Sequence, residues 1–391
     1  MPTIEERLAA LEARMAAWID QQPTTYYTHQ YSGEEIDNAV ARALPNGAID
    51  QAAGTFVRPN LLDNWYFGRP VDQKGGMLQL AGTMLYSDAA CTQALFQSTK
   101  TTPIIKVSDI AAHPSDDSTV YVKLADCVRG YTGNGYSVDR WMLYTDGGNV
   151  AISNGYLDIY ASKQHGTYLT QKIDPELAKA LAGKTVTWSV LAVGGDIAFS
   201  ANINKDDSYV DSFTIEPNTI SLKTMTIPTD FTDISFVFAG NAAGHVCPIA
   251  AKLELGPTQT LAHQENGVWV LNEVPEYGEQ QRRCQMDLFK IGDAVRYCSL
   301  GNGVARDSQF VSITIPTPVT MRTMPVLIAP PVGFLMRHND TVVSGGANFY
   351  VDAFSQNSIM LKVQSQVALT PGDMWEAFLQ PNGSLVFSAE L

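Results

Sequence analysis

Hydrophobic and polar residues alternate with a period of two through most of this chain. Val186, Trp188 and Val190 alternate with Thr187 and Ser189, and Ile234, Phe236 and Phe238 alternate with Ser235 and Val237. Extended backbone sends successive side chains to opposite faces, so residues 55–257 read as antiparallel strands with one buried face. A single helix interrupts them. Asp174 is its N-cap, Pro175 occupies its first turn, Leu177, Ala180 and Leu181 face inward, and Gly183 ends it. Many short strands separated by Gly and Asn turns predict a jelly-roll β-sandwich. The alternation resumes at Val311, Ile313 and Ile315, with further strands at 359–363 and 385–387. Residues 299–391 therefore read as a smaller β-sandwich head. Between the two, residues 258–298 form a connector of mixed charge around Glu276–Cys284. The fold class is mainly β.

The N-terminal pattern is different. Ile4, Leu8, Leu11, Met15 and Trp18 are spaced 4, 3, 4 and 3, a heptad seam over residues 1–22. Arg7 then falls at g and Glu12 at the following e, a pairing used between neighbouring chains of a parallel coiled coil. An amphipathic helix packed on its own domain would give the same spacing. Residues 23–54 read as a helical stalk: Ser32 and Glu35 form a capping box, Ile36, Val40, Ala43 and Leu44 an apolar face, and Pro45-Asn46-Gly47 a stop.

Composition narrows the function. A formal charge of −14, with no dense basic run, excludes a phosphate-neutralising surface, so nucleic acid is not an expected partner. No segment approaches the roughly 20 apolar residues of a membrane-spanning helix, and the first residues lack the pattern of a secretory signal. Cys91, Cys127, Cys247, Cys284 and Cys298 are scattered and contain no C-x-x-C pair, which reads as reduced thiols with no zinc site. His113, His165, His245 and His263 show no paired spacing either.

Several stretches resemble bacteriophage and prophage tail-fibre proteins of Gram-positive gut bacteria. They are Asn60-Leu61-Leu62-Asp63-Asn64-Trp65-Tyr66-Phe67 with Pro70-Val71-Asp72-Gln73, then Gly135-Tyr136-Ser137-Val138-Asp139-Arg140-Trp141, then Ala251–Thr258 with Tyr277-Gly278-Glu279-Gln280 and Arg283-Cys284-Gln285. Ser32–Ala39 is similar to a short shaft helix, and Met321-Arg322-Thr323-Met324-Pro325 to the M-R-x-x-P of fibre heads. Met286-Asp287-Leu288 departs from the family, which has aromatic residues after R-C-Q. The resemblance implies a homotrimeric receptor-binding protein of the virion tail. Its N-terminal end would join tail or baseplate proteins, and its jelly roll, like a carbohydrate-binding module, would hold a bacterial surface glycan without catalysis.

On that reading the candidate glycan-binding residues are Tyr131, Asn134 and Tyr136, placed in a Gly-rich loop over 130–135. In the head they are Arg337, His338, Asn339, Asp340, Asn348 and Tyr350, placed in polar loops between strands. Aromatic rings stack on sugar C–H faces while amides and charges bind hydroxyls. Solvated turns would show the same residue types. Trp141 is expected in the core with Leu143, and Asp139 and Arg140 as an ion pair or brace. No cofactor is expected. The resemblance leaves room for a structural Ca²⁺ at Asp63, Asp116, Asp117, Asp206 or Asp207, although no EF-hand order is present. No nucleophile elbow, H-E-x-x-H pair or phosphate loop occurs. A glycan depolymerase with two separated carboxylates is the alternative enzyme class, and a structural baseplate or collar subunit is a third.

Overall fold

The computed structural model describes residues 57–389 apart from 89, 104, 108–109, 116–117, 197, 274, 293–295, 329–330, 340, 345–347 and 356. The heptad residues Ile4, Leu8, Leu11, Met15 and Trp18, the stalk at 23–54, and Asp116, Asp117 and Asp340 lie outside the described residues.

Two antiparallel sheets form the sandwich. The eight-stranded sheet runs, in spatial order, Thr219–Thr226, Thr185–Gly195, Gly244–Leu255, Leu157–Ala161, Asn149–Ile152, Val128–Thr132, Met77–Gln79 and Thr102–Pro103. The six-stranded sheet runs Ser208–Thr214, Phe199–Lys205, Ile234–Gly240, Thr167–Lys172, Met142–Thr145 and Gly135–Tyr136. The chain passes repeatedly from one sheet to the other, which is how a jelly roll closes one core between two layers. The inward positions are those the alternation marks: Val186, Trp188 and Val190 meet Phe236 and Phe238, all fully buried. The Trp188 ring lies edge-on to Phe236 at 4.9 Å, and Phe67 and Trp141 pack edge-on at 5.4 Å. Helix α1, Pro175–Leu181, is capped by Asp174, whose carboxylate accepts from the N–H groups of Glu176 and Leu177. Its buried residues are Ala178 and Leu181, with Leu177 against the core; Ala180, expected inside, is exposed. In so short a helix the i, i+1 and i+4 positions define the inner stripe.

Thr187 and Ser189, expected to face solvent, are fully buried, as are Lys252 and Glu254 beside them. The segment after residue 257 folds back over this sheet face and covers them. Glu254 accepts from Thr260 N and Oγ1, both at 2.6 Å, and Lys252 Nζ lies 3.2 Å from Glu273. The segment read as a connector thus contains a hairpin, Ala262–Glu265 with Val268–Leu271, and helix α2, Tyr277–Gln285. A separate five-stranded sheet, Ala94–Gln97, Met84–Tyr86, Ser118–Lys123, Ile110–Ser115 and Ile105–Val107 in spatial order, has a small core of Leu85, Val120 and Val122.

The head is a nine-stranded sheet built around one long strand, Met374–Ser388, which pairs with Leu288–Gly292, Cys298–Ala305, Val326–Leu327 and Val332–His338. Phe334 and Phe349 come from strands near opposite ends of the order yet touch edge-on at 5.0 Å, so the sheet curls over its own core. That core contains Val311, Ile313 and Ile315, whose alternation is visible in the sequence. Pro59–Leu391, sandwich and head together, is one compact unit.

Candidate functional site

Among the described residues, the stretches that carry the tail-fibre resemblance meet at one place, and what they build there is a joint. Asn60 donates to Ala251 O at 2.8 Å and accepts from Leu253 N, tying the first stretch to the strand Gly244–Leu255. Asn64 N donates to Gln280 Oε1 of helix α2 at 2.7 Å, and the Asn64 amide holds Val71 and Asp139 O. Gln73 donates to Asp139 and to Leu288 O at the entrance to the head.

A charge network completes the joint. Asp63 takes Arg140 Nε at 3.1 Å, Arg283 Nη2 at 2.6 Å and Arg322 Nη2 at 3.4 Å. Asp287 takes Arg322 Nε at 2.8 Å and Arg140 Nε at 3.3 Å, while Arg322 Nη1 reaches Asp174 at 2.5 Å. Sandwich, helix and head are pinned by three guanidinium groups and three carboxylates. Burial raises the Asp287 carboxyl above its ordinary value, against the pull of Arg140 and Arg322. Burial also acts on Asp174, but there Arg322 and the helix N–H groups outweigh it and hold the carboxyl below its usual value. Asp139 and Arg140 serve this joint through different partners. Burial pushes Asp139, which accepts from Gln73, up to about 6.

The expected glycan-binding residues are dispersed. Tyr131 is on the strand Val128–Thr132, opposite Val150, rather than in a loop. Its hydroxyl donates to Asp72 and accepts from Gly76 N at 3.0 Å, and burial drives its ionisation far out of the accessible range. The turn is confined to Gly133 and Asn134, where Asn134 Oδ1 accepts from Thr145 N at 2.8 Å. In the head, Arg337 and His338 end the strand Val332–His338, and Tyr350 lies within Phe349–Ser355, so these too are strand residues. Arg337 pairs with Glu376, and a His338 ring nitrogen lies 2.9 Å from Met374 O. Asn339 makes the turn with a φ of 51°, and Asn348 donates to Gln364 at 2.7 Å. Tyr350 packs edge-on to Phe310 at 6.4 Å. Each answers a neighbour of its own.

Tyr136 is the exception, because it lines a cleft. The cleft lies on the outer face of the six-stranded sheet and holds about 250 Å³. Tyr136, Met142, Tyr144, Thr170 and Lys172 line it from three adjacent strands, with Met142 paired to both Tyr136 and Thr170. Tyr144 is 45% exposed and stands directly opposite Tyr168, whose ring stacks on His165. Alongside, Ser235, Val237 and Ala239 turn outward between core residues Phe236 and Phe238, yet are only 1–2% exposed. Lys172 bonds Asp233 at 2.9 Å and lies 3.4 Å from Asp207. Arg140, Asp174, Asp287 and Arg322 close the inner end, so the rigid joint is one wall of the cleft. The sequence contained the signal for Tyr144: with Trp141 and Leu143 inside, Met142 and Tyr144 must face out.

Of the residues considered for Ca²⁺, the described ones are engaged by protein groups. Asp63 is enclosed by arginines, and Asp206 accepts from Thr232 N, Thr232 Oγ1 and Asp233 N, which hold it down at about 2. Among the described residues, the group with converging metal-donor atoms is Asp158, His245 and Cys247, on the other sheet.

Fold and cleft together describe a jelly-roll β-sandwich with an aromatic, polar-edged groove on one sheet. No family model matches the chain, and no curated protein matches it. Among solved structures it is similar to the C-terminal family 22 carbohydrate-binding module of Clostridium thermocellum Xyn10B. That match has 18% identity over 32% of this chain and 92% of the module, with a TM-score of 0.24. It is also similar to the N-terminal tandem of CBM22 modules of Paenibacillus barcinonensis Xyn10C, at 9% identity over 64% of this chain and 93% of that one, with a TM-score of 0.21. At these scores the reading of function rests on the cleft itself.

Proposed function

We propose that this protein is a non-catalytic attachment protein that holds a saccharide of a bacterial surface in the cleft of the six-stranded sheet. The observation that carries the reading is the cleft lining. Exposed Tyr144 and half-buried Tyr136 line it together with Met142 and Thr170, with Lys172, Asp233 and Arg140 at the edges. A sugar offers C–H faces to the rings and hydroxyls to the charged rim. An open groove of this kind binds weakly, on the order of 10⁻⁴ to 10⁻³ M per site. The heptad seam at Ile4–Trp18 would join chains, the tail-fibre resemblance implies three of them, and three linked sites would hold a repetitive surface by avidity. In the tail-fibre reading the same end of the chain joins tail or baseplate proteins. The carboxylates of the cleft favour binding over glycoside hydrolysis. Asp174, Asp233 and Asp287 are each bonded to Arg or Lys, whereas hydrolysis needs one carboxyl to donate a proton and another to attack.

Titration of the full chain with oligosaccharides of bacterial envelopes tests the site. Tyr144→Ala and Tyr136→Ala are expected to weaken binding about tenfold each, since a stacked ring contributes roughly 1–1.5 kcal/mol, and to leave the melting temperature unchanged. Binding that survives both substitutions refutes the cleft. Light scattering should give three chains per particle, and a monomer refutes the trimer.

A further inference from the structure

The outer face of the eight-stranded sheet carries a second constellation that takes no part in the cleft. His245 and Cys247 are two residues apart on the strand Gly244–Leu255, and on extended backbone that spacing sends both side chains to one face. Asp158 reaches the same face from the neighbouring strand Leu157–Ala161, whose register sets Tyr160 opposite His245 and Ile159 opposite Val246. His245 Nδ1 is 3.1 Å from Asp158 Oδ1 and 3.9 Å from Cys247 Sγ, and all three donor atoms lie within 4.8 Å of one another. Tetrahedral zinc, with bonds of about 2.0–2.3 Å, holds its ligand atoms roughly 3.3–3.8 Å apart. The triangle is therefore near the size a bound ion needs.

Two further features favour a cation there. Gly194, on the strand to the other side, faces the sulfur. A Cβ added to it would stand 3.9 Å from Cys247 Sγ, so no side chain of that residue closes over the thiol. Asp196 accepts from His245 N at 3.3 Å, which brings a second carboxylate to the edge of the group. A divalent ion draws the proton from a coordinating thiol and is attracted by both carboxylates.

We propose that Asp158, His245 and Cys247 form a binding site for a borderline divalent cation of the zinc class, with a remaining coordination position open to water. The donor set decides the class: sulfur and imidazole nitrogen select zinc-like ions over calcium or magnesium, which take oxygen ligands. His245 and Asp158 are half-exposed, so an ion can enter from solvent.

The test uses the full chain, reduced and stripped with a chelator, titrated with Co²⁺. One equivalent is expected to saturate a thiolate-to-cobalt charge-transfer band in the near ultraviolet, and Zn²⁺ to displace it. Cys247→Ser should abolish the band, and His245→Ala and Asp158→Asn should each weaken Co²⁺ binding by about tenfold or more. Cys298→Ser, which removes a partly exposed thiol elsewhere, should leave the band unchanged. A second measurement covers the case in which Cys247→Ser fails to fold. The unaltered protein is alkylated with and without Zn²⁺, and each cysteine is read by peptide mass. Zn²⁺ should slow modification of Cys247 and leave that of Cys298 unaffected. Absence of the band, a band that survives Cys247→Ser, or alkylation of Cys247 indifferent to Zn²⁺ overturns the proposal.

Discussion

Replacing Arg322 with alanine withdraws one guanidinium from three carboxylates at once, and the three respond differently. Asp63, with a side chain 6% exposed, keeps Arg140 and Arg283. Asp174 is 26% exposed, so water replaces most of what it loses. Asp287 is 2% exposed and retains Arg140, at 3.3 Å. The cost therefore concentrates on one buried charge. Removing one partner of a buried pair typically costs about 3–5 kcal/mol, and the lower end applies because Arg140 remains. The assay is urea unfolding followed by tryptophan fluorescence, with Trp65, Trp141 and Trp188 in the sandwich core and Trp375 in that of the head. With an m value of roughly 3 kcal/mol per molar, a loss of about 3 kcal/mol moves the midpoint by about 1 M. Combining Arg322→Ala with Asp287→Asn should recover about 1–3 kcal/mol relative to the sum of the single changes, because the stranded charge is gone. The defect should also shrink in acid, since Asp287 already sits above its ordinary value and protonation neutralises it. A cost under about 1 kcal/mol, or additive single changes, would refute the claim that this network joins sandwich and head.

Two further outcomes follow from buried groups. Asp139 has a folded value of about 6 against 3.8 for the free side chain, so the native state binds the proton more tightly than the unfolded one. Its contribution to stability falls as pH rises through that window, and above it the ionised group costs about 3 kcal/mol. The difference in stability between the native protein and Asp139→Asn, measured by denaturation across that window, should show this slope; a flat difference refutes it. Tyr131→Phe leaves Gly76 N–H and Asp72 each short of a partner and should cost about 1–3 kcal/mol in unfolding with saccharide affinity unchanged. Loss of binding at unchanged stability would return Tyr131 to the candidate site.

What local sequence determined here is the β character and the inward face of each strand. Trp188, Phe236 and Ile313 could be placed inside because strand periodicity is a property of adjacent residues, as are the cap at Asp174 and the turn at Asn134. Which outward positions stay wet was decided elsewhere. Thr187 and Ser189 have the same alternation as strand residues that face solvent, and they are buried because residues 258–273 fold back across that sheet. The roles of the tail-fibre-like motifs were hidden for the same reason. Asp63, Arg140, Arg283 and Arg322 are up to 259 residues apart, and only the docking of head on sandwich makes them one network. Tyr144 and Lys172 become a cleft, and Asp158 and His245 a donor pair, through strand register. Register is set by pairings between distant segments, so neighbours across a sheet cannot be read along the chain.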